Sequence, residues 1–179
     1  RVLVLGAGAG GLAYELHLRH RATFTAAVDI DPFLLVMAER VLRGQSVRLT
    51  EASLKVLEAR DVSRAWTLKA PSGPLGPEAF QCLFADGTAP PFAPGSFVSV
   101  VTPWFIDQVP RDLPAFIATV HALLRPSGYW LNQGPLIYPE SVAFERRYCQ
   151  DELLELARVG GFTALGASRA SCPSRSRDR

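Results

Sequence analysis

The chain is short of net charge and almost free of lysine. Nineteen Lys and Arg stand against seventeen Asp and Glu, leaving +2 at pH 7. So small a surplus is not the electrostatic footprint of a nucleic-acid-binding domain. The surplus is also local, because Arg169, Arg175, Arg177 and Arg179 crowd the last stretch. Residues 168–179 therefore read as a basic, disordered tail, with polyanion binding as the minor alternative. The only lysines are Lys55 and Lys69, and neither sits in the Tyr-x-x-x-Lys pattern of a hydride-transfer site. Cysteines are equally few. Cys82, Cys149 and Cys172 are odd in number and lack CxxC spacing, which speaks against a disulfide framework and against a zinc site. Reduced thiols in a cytoplasmic protein are the simplest reading, with no metal expected. No apolar run reaches the roughly 18 residues of a membrane helix, and no signal peptide is visible.

What is present is the material of one globular unit. The 179 residues are 48% hydrophobic and 20% charged, enough for a single core and too few for two large ones. Residues 1–167 are expected to form that domain. Arg1 directly precedes a buried-strand pattern, so the fold is expected to draw on residues ahead of it. Val2 to Leu5 is wholly apolar, as in a central parallel strand covered on both faces. A glycine-rich turn, Gly6 to Gly11, and a helix to about His20 follow. Ala26 to Asp29 reads as a second strand, and Pro32 opens a helix that Gly44 ends. Leu54 to Ala59 looks helical and Ala65 to Lys69 extended, with a turn-rich loop from Pro71 to Pro77. Further strands are expected at Gln81 to Ala85, Phe97 to Thr102 and Tyr129 to Asn132, with a sixth at Phe162 to Ala167. Leu113 to Leu124 and Asp151 to Val159 are helical, and Arg125 to Gly128 is a turn. Alternating strands and helices predict a Rossmann-like, doubly wound, mostly parallel sheet of the α/β class.

The chemistry starts at "VLVLGAGAGGLA". Gly6, Gly8 and Gly10 follow a strand and open a helix, where small residues let the backbone approach a ligand and the helix start offers free amides. Gly6, Gly8 and Gly11 also fit the dinucleotide pattern of NAD and FAD enzymes. Asp29, ending the second strand, can accept hydrogen bonds from both ribose hydroxyls, and it fits either nucleotide. Asp31 reads as the cap of the helix at Pro32. Asp107 follows the carboxyl end of the fourth strand, the edge at which open α/β sheets bind ligands. The ordinary readings of Asp107 and Tyr138 are a loop or capping carboxylate and a packed rim aromatic. Trp104 and Phe105 are either pocket walls or core. His17, His20 and His121 are scattered on helices and receive no catalytic role.

"FADGTAPPFAPGSFVSVV" and "LLRPSGYW" resemble two segments of the class I S-adenosylmethionine-dependent methyltransferases. That resemblance implies S-adenosyl-L-methionine as cofactor, with Asp86 facing the adenine amine beside Gly87. The backbone of Gly6, Ala7, Gly8 and Gly10 would lie against the methionine half, and Thr102 would be a further cofactor-binding residue. Val98 replaces the family's Asp, and Ser127 replaces its first Gly. "VTPWFIDQVPRDLPAFIATVHALLRPSGYWLNQGPLIYP" is more narrowly similar to the carnosine N-methyltransferase-like family. The matching positions are Val101, Thr102, Phe105, Ile106, Asp107, Trp130, Asn132, Gly134, Pro135, Leu136 and Tyr138. The likeness covers roughly residues 2 to 140 with a gap in the middle. It implies that Asp107 and Tyr138 line the pocket of a small-molecule methyl acceptor, an amine or imidazole. Pro139 stands where the family has His, which points away from carnosine itself. Methyl transfer needs alignment and exclusion of water more than an acid–base set, so one carboxylate at the nucleophile suffices. An NAD(P)-dependent oxidoreductase and a methyltransferase-like binding module without catalysis are the competing readings.

Overall fold

A computed structural model describes residues 1–53, 58, 62–108 and 112–168. Five parallel strands form the sheet: β1 (Val2–Leu5), β2 (Thr25–Asp29), β5 (Phe80–Phe84), β6 (Phe97–Pro103) and β7 (Leu124–Gln133). Their order across the sheet is β5-β2-β1-β6-β7. The chain leaves β1 toward β2 and β5, then crosses back to β6 on the other side of β1. The switch point between β1 and β6 opens a crevice at the carboxyl edge. The expected doubly wound parallel sheet is what forms.

Both faces are covered, and the strand alternation decides which side chain goes where. Val4, Ala27 and Val101 face α1 (Gly11–Arg19) and α2 (Pro32–Leu42), packing against Ala13, Tyr14, Ala38 and Leu42. Leu3, Leu5, Val28 and Val100 face the opposite way. There they meet Phe116, Ile117 and Val120 of α3 (Leu113–Leu123) and the partly buried Leu153 and Leu156 of α4 (Gln150–Val159). Leu3, Val4, Leu5, Val28 and Val100 are wholly buried. Each such side chain contributes about 1.5–3 kcal/mol of transfer free energy, which holds the central strands rigid beneath the crevice.

The helix starts follow local chemistry. The Asp31 carboxylate accepts from the Phe33 and Leu34 amides at 2.9 and 3.2 Å, with Pro32 in the first turn. Asp112 caps α3 in the same way through Ala115 at 3.1 Å.

Three expectations need correcting. Phe162 to Ala167 is not a strand: only Phe162 turns inward, onto His121 and Trp130, while the segment beyond it is exposed and pairs with no strand among the described residues. The turn from Arg125 to Gly128 lies inside β7 as an irregularity, where the register against β6 shifts between Phe97 and Ser99. Between α2 and β5 the chain makes an antiparallel hairpin, β3 (Val47–Ala52) with β4 (Ser63–Leu68), standing apart from the main sheet. β3 has no counterpart in the sequence reading, and the helix expected at Leu54 to Ala59 lies outside the described residues apart from Glu58. The tail from Arg169 onward also lies outside them.

Candidate active site

The glycine turn after β1 adopts a conformation that only small residues take easily. Gly6, Gly8 and Gly10 have φ of 73°, 54° and 77°. A side-chain carbon on Gly8 would meet nothing within 4 Å, so open space lies above it. On Gly6 it would strike the Phe105 ring at 2.6 Å, and on Gly10 it would press on Ala38 at 3.4 Å. Gly11 differs: its φ is negative, it begins α1, and a side chain there would touch nothing. The glycines under conformational demand are therefore 6, 8 and 10. The dinucleotide pattern, which uses its third glycine for close helix–strand packing, has no such contact at Gly11.

Asp29 holds this turn in place. Its Oδ2 accepts from the Gly8 amide at 2.6 Å and its Oδ1 from the Asp31 amide at 2.9 Å. A carboxylate has about four acceptor positions, so each oxygen retains capacity for a ligand hydroxyl. Ala85, after β5, donates its amide to the Asp29 carbonyl at 3.1 Å. That bond sets the next residues beside the β2 end. Asp86 Oδ1 takes both the Thr88 amide (2.8 Å) and hydroxyl (2.7 Å), while its Oδ2 makes no hydrogen bond among the described residues. The first amides of α1, up to Ala13, likewise lack backbone partners, because Tyr14 is the first to bond back to Gly10. Open space over Gly8, free amides and two carboxylates on neighbouring strand ends are what a nucleoside with a charged amino-acid tail requires.

The other half of the crevice lies beyond β6. A short 3-10 turn, Ile106–Gln108, buries Asp107 to 5% exposure. Among the described residues its Oδ2 receives one long hydrogen bond, 3.3 Å, from the Ile137 amide. Trp104 donates its amide to the Gln133 carbonyl at 2.6 Å. These two bonds tie the segment after β6 to the segment after β7. The close approach explains Gly134, where a side-chain carbon would sit 3.0 Å from Trp104 Cα. Trp104 itself has φ 47° and is 57% exposed, an aromatic held in strained backbone at the crevice mouth. Tyr138 reaches the same region. Its hydroxyl is sealed from solvent without a hydrogen-bond partner among the described residues. Burial pushes it above the ordinary tyrosine range, and the Asp107 charge adds to this; a Tyr148 backbone group pulls the other way without reaching hydrogen-bond geometry.

Thr102 occupies a different place from the other candidates. It is fully buried, and its hydroxyl lies between the Trp130 indole and the Asn132 amide, each at 2.9 Å. Its side chain thus joins β6 to β7 rather than facing the glycine turn. Sequence reasoning missed this cluster, and it left Phe105 undecided. The Phe105 ring closes on both Gly6 and Gly87, at 2.6 and 2.8 Å from a side-chain carbon built on each. It forms the floor between the two halves, and the paired glycines facing it were the available signal. His17 packs internally, its Nδ1 3.0 Å from the Thr25 hydroxyl. A hollow of about 300 Å³ bounded by Gly44, Ser46, Lys69, Ala70, Gly73 and Pro74 lies at the opposite edge and holds none of the candidate residues. No helix of the described residues is long and apolar enough to cross a membrane.

Comparison with solved structures recovers the same architecture. A putative sarcosine dimethylglycine methyltransferase from Galdieria sulphuraria superposes with TM-score 0.65 and 14% identity, over 92% of this chain and 55% of its own. A possible histamine N-methyltransferase from Thermotoga maritima gives TM-score 0.55 and 15% identity, over 92% and 64% respectively. The [4+2]-cyclase SpnF also matches, with TM-score 0.56 and 15% identity, over 89% and 50%. At these identities the likeness shows the fold alone, and the cyclase is a reminder that one fold hosts several reactions. The chain spans from about a third to two thirds of the length of these and similar structures. A comparison with curated proteins finds no match. A family model described as carnosine N-methyltransferase matches residues 1–171. The chain therefore belongs to the carnosine N-methyltransferase family, with the fold of the S-adenosylmethionine-dependent methyltransferases.

Proposed function

We propose that the chain binds S-adenosyl-L-methionine along the β1, β2 and β5 ends and directs its methyl group to a nitrogen of a small-molecule acceptor held beside Asp107. In this reading the backbone of Gly6, Ala7, Gly8 and Gly10 lies against the methionine half, Asp29 takes the ribose hydroxyls, and Asp86 with Gly87 meets the adenine. Thr102 contributes by bracing the β6 end. The bound cofactor supplies an electrophilic methyl on a sulfonium centre.

The observation that carries the nitrogen assignment is Asp107. A carboxylate this buried, with one long hydrogen bond among the described residues, retains acceptor capacity for an N–H of an amine or imidazole. Held there, the nitrogen has its lone pair turned away from the carboxylate. Asp107 orients the nucleophile, offsets its growing positive charge and accepts a proton as the new bond forms. Trp104 and Tyr138 narrow the space around it and keep water out, which favours a planar or cationic acceptor.

Calorimetric titration with S-adenosylhomocysteine and with NADH tests the cofactor, and a panel of amines and imidazoles tests transfer. Asp107→Asn is expected to leave S-adenosylhomocysteine binding intact and cut turnover about a hundredfold or more. Binding of NADH alone ends this reading. Binding of S-adenosylhomocysteine without turnover on any amine or imidazole favours a binding module over an enzyme.

A further inference from the structure

The hollow at the amino edge of the sheet has fixed walls and a lining of hydrogen-bond donors. About 300 Å³ in volume, it is bounded by Gly44, Ser46, Lys69, Ala70, Gly73 and Pro74, at the root of the β3–β4 hairpin. The Tyr14 hydroxyl accepts from the Ser72 amide at 3.0 Å and donates to the Gly73 carbonyl at 2.7 Å, which fastens the loop after β4 to α1. Arg43 donates to the Leu75 carbonyl, and the Leu75 amide to the Leu42 carbonyl at 2.8 Å, which fastens the same loop to α2. The carbonyls that end α2 are taken up: those of Glu39, Arg40, Val41 and Leu42 accept from the amides of Arg43, Gln45, Gly44 and Leu75. The groups left over are donors. The amides of Ser46, Lys69 and Ala70 make no backbone hydrogen bond among the described residues, and neither does the Ser46 hydroxyl nor the Lys69 ammonium find a partner there.

Strand alternation adds a second cation. Ser46, Arg48 and Thr50 share one face of the ribbon with Ala65, Thr67 and Lys69. Glu51, the acid of β3, belongs to the other face, where it accepts from the Trp66 indole at 2.9 Å while Arg64 stacks on the same ring. Arg48 and Lys69 form no ion pair among the described residues. Two cations, a hydroxyl and free amides, with no carboxylate on the lining, therefore meet at a concavity whose walls are already in place.

We propose that this hollow is a binding site for a phosphate group, free or borne by a small molecule, held by the Lys69 ammonium and the Ser46 hydroxyl with Arg48 adding its charge from the same ribbon face. A phosphate brings three acceptor oxygens and close to two charges, which matches several converging donors better than a carboxylate does. The volume leaves room beside the phosphate for a small organic body. The site lies at the edge opposite Asp29 and Asp107, and the proposal does not rest on methyl transfer.

The test is a titration of isotope-labelled protein followed by amide chemical shifts, which separates this hollow from the free amides at the start of α1. The probes are inorganic phosphate, glycerol phosphate and, at matched ionic strength, acetate. Both phosphates are expected to shift the Ser46, Lys69, Ala70 and Gly73 amides saturably, with acetate about tenfold weaker or more. Tighter binding of glycerol phosphate assigns the remaining space to an ester body, and equal affinity assigns the site to free phosphate; either result supports the proposal. Lys69→Gln is expected to lower phosphate affinity about tenfold, and Lys69→Arg, which keeps the charge, to hold it within about threefold. Ser46→Ala is expected to weaken binding less than Lys69→Gln. Shifts confined to the start of α1, acetate binding as tightly as phosphate, or a Lys69→Gln protein with the wild-type affinity each overturn the proposal. So does the absence of any saturable shift.

Discussion

Asp29 gives the most demanding test of the cofactor half, because its two oxygens do two different things. Oδ2 anchors Gly8 and Oδ1 anchors Asp31, both through backbone N–H donors. An asparagine of the same shape can accept only one of these bonds, and it must turn an NH₂ toward the other donor. Asp29→Asn therefore loses one charge-assisted hydrogen bond, worth about 1.5–3 kcal/mol, and one ribose contact is weakened with it. At 1.4 kcal/mol per decade this is a loss of about ten- to a hundredfold in S-adenosylhomocysteine affinity. A parallel titration with 2′-deoxy-S-adenosylhomocysteine separates loop anchoring from ribose recognition. If Asp29 holds the ribose, wild type loses affinity for the deoxy ligand and the Asn variant loses little more, a coupling of the double-mutant kind. If Asp29 only anchors the turn, both proteins lose equally. An Asn variant that binds S-adenosylhomocysteine within about twofold of wild type refutes the reasoning outright.

Other parts of the molecule make independent predictions. Ser127 has φ 61°, a left-handed conformation costly for a side chain, so Ser127→Gly should stabilise the fold by about 0.5–1 kcal/mol in chemical denaturation. A neutral or destabilising result would mean that the turn is not strained. Burial pushes the Cys82 thiol up to about 12, with the nearby Glu39 carboxylate adding to it, while Cys149 is exposed. Peptide-resolved alkylation near neutral pH should therefore mark Cys149 quickly and Cys82 only after unfolding; equal labelling rates would contradict this. Tyr138 has its folded pKa raised, so its contribution is fully present below the ordinary tyrosine range and lost as pH climbs through the raised value. Tyr138→Phe should flatten the alkaline fall in thermal stability, and an unchanged profile would show that the hydroxyl does not titrate with folding.

Much of the fold is local in origin, which is why it was legible. β1 and β2 are short apolar runs ending in a glycine turn and a carboxylate, and the Asp31-Pro32 start of α2 forms through bonds no more than three residues apart. The glycine turn itself was legible as well, although its spacing left two nucleotides open. Backbone conformation weighs against one of them, since Gly10 needs a positive φ and Gly11 does not. The hairpin of β3 and β4 was half visible, because a ribbon exposed along most of its length lacks the alternation that burial imposes. The sixth strand was misread because Phe162 to Ala167 has apolar content without a partner strand, and a ladder is a property of two segments.

Residue types and their spacing determined the parallel sheet, the glycine turn with Asp29, and the position of Asp107 at the carboxyl edge, while Tyr138 became a candidate through the family resemblance alone. Only the tertiary structure decided that Phe105 floors the crevice, that Asp107 is tied to Ile137, and that the Thr102 hydroxyl is taken up between Trp130 and Asn132. The physical reason is range. Caps, turns and strand periodicity act within a few residues, whereas these contacts join positions 18 to 99 residues apart, which meet only once burial of both sheet faces has set the strands side by side.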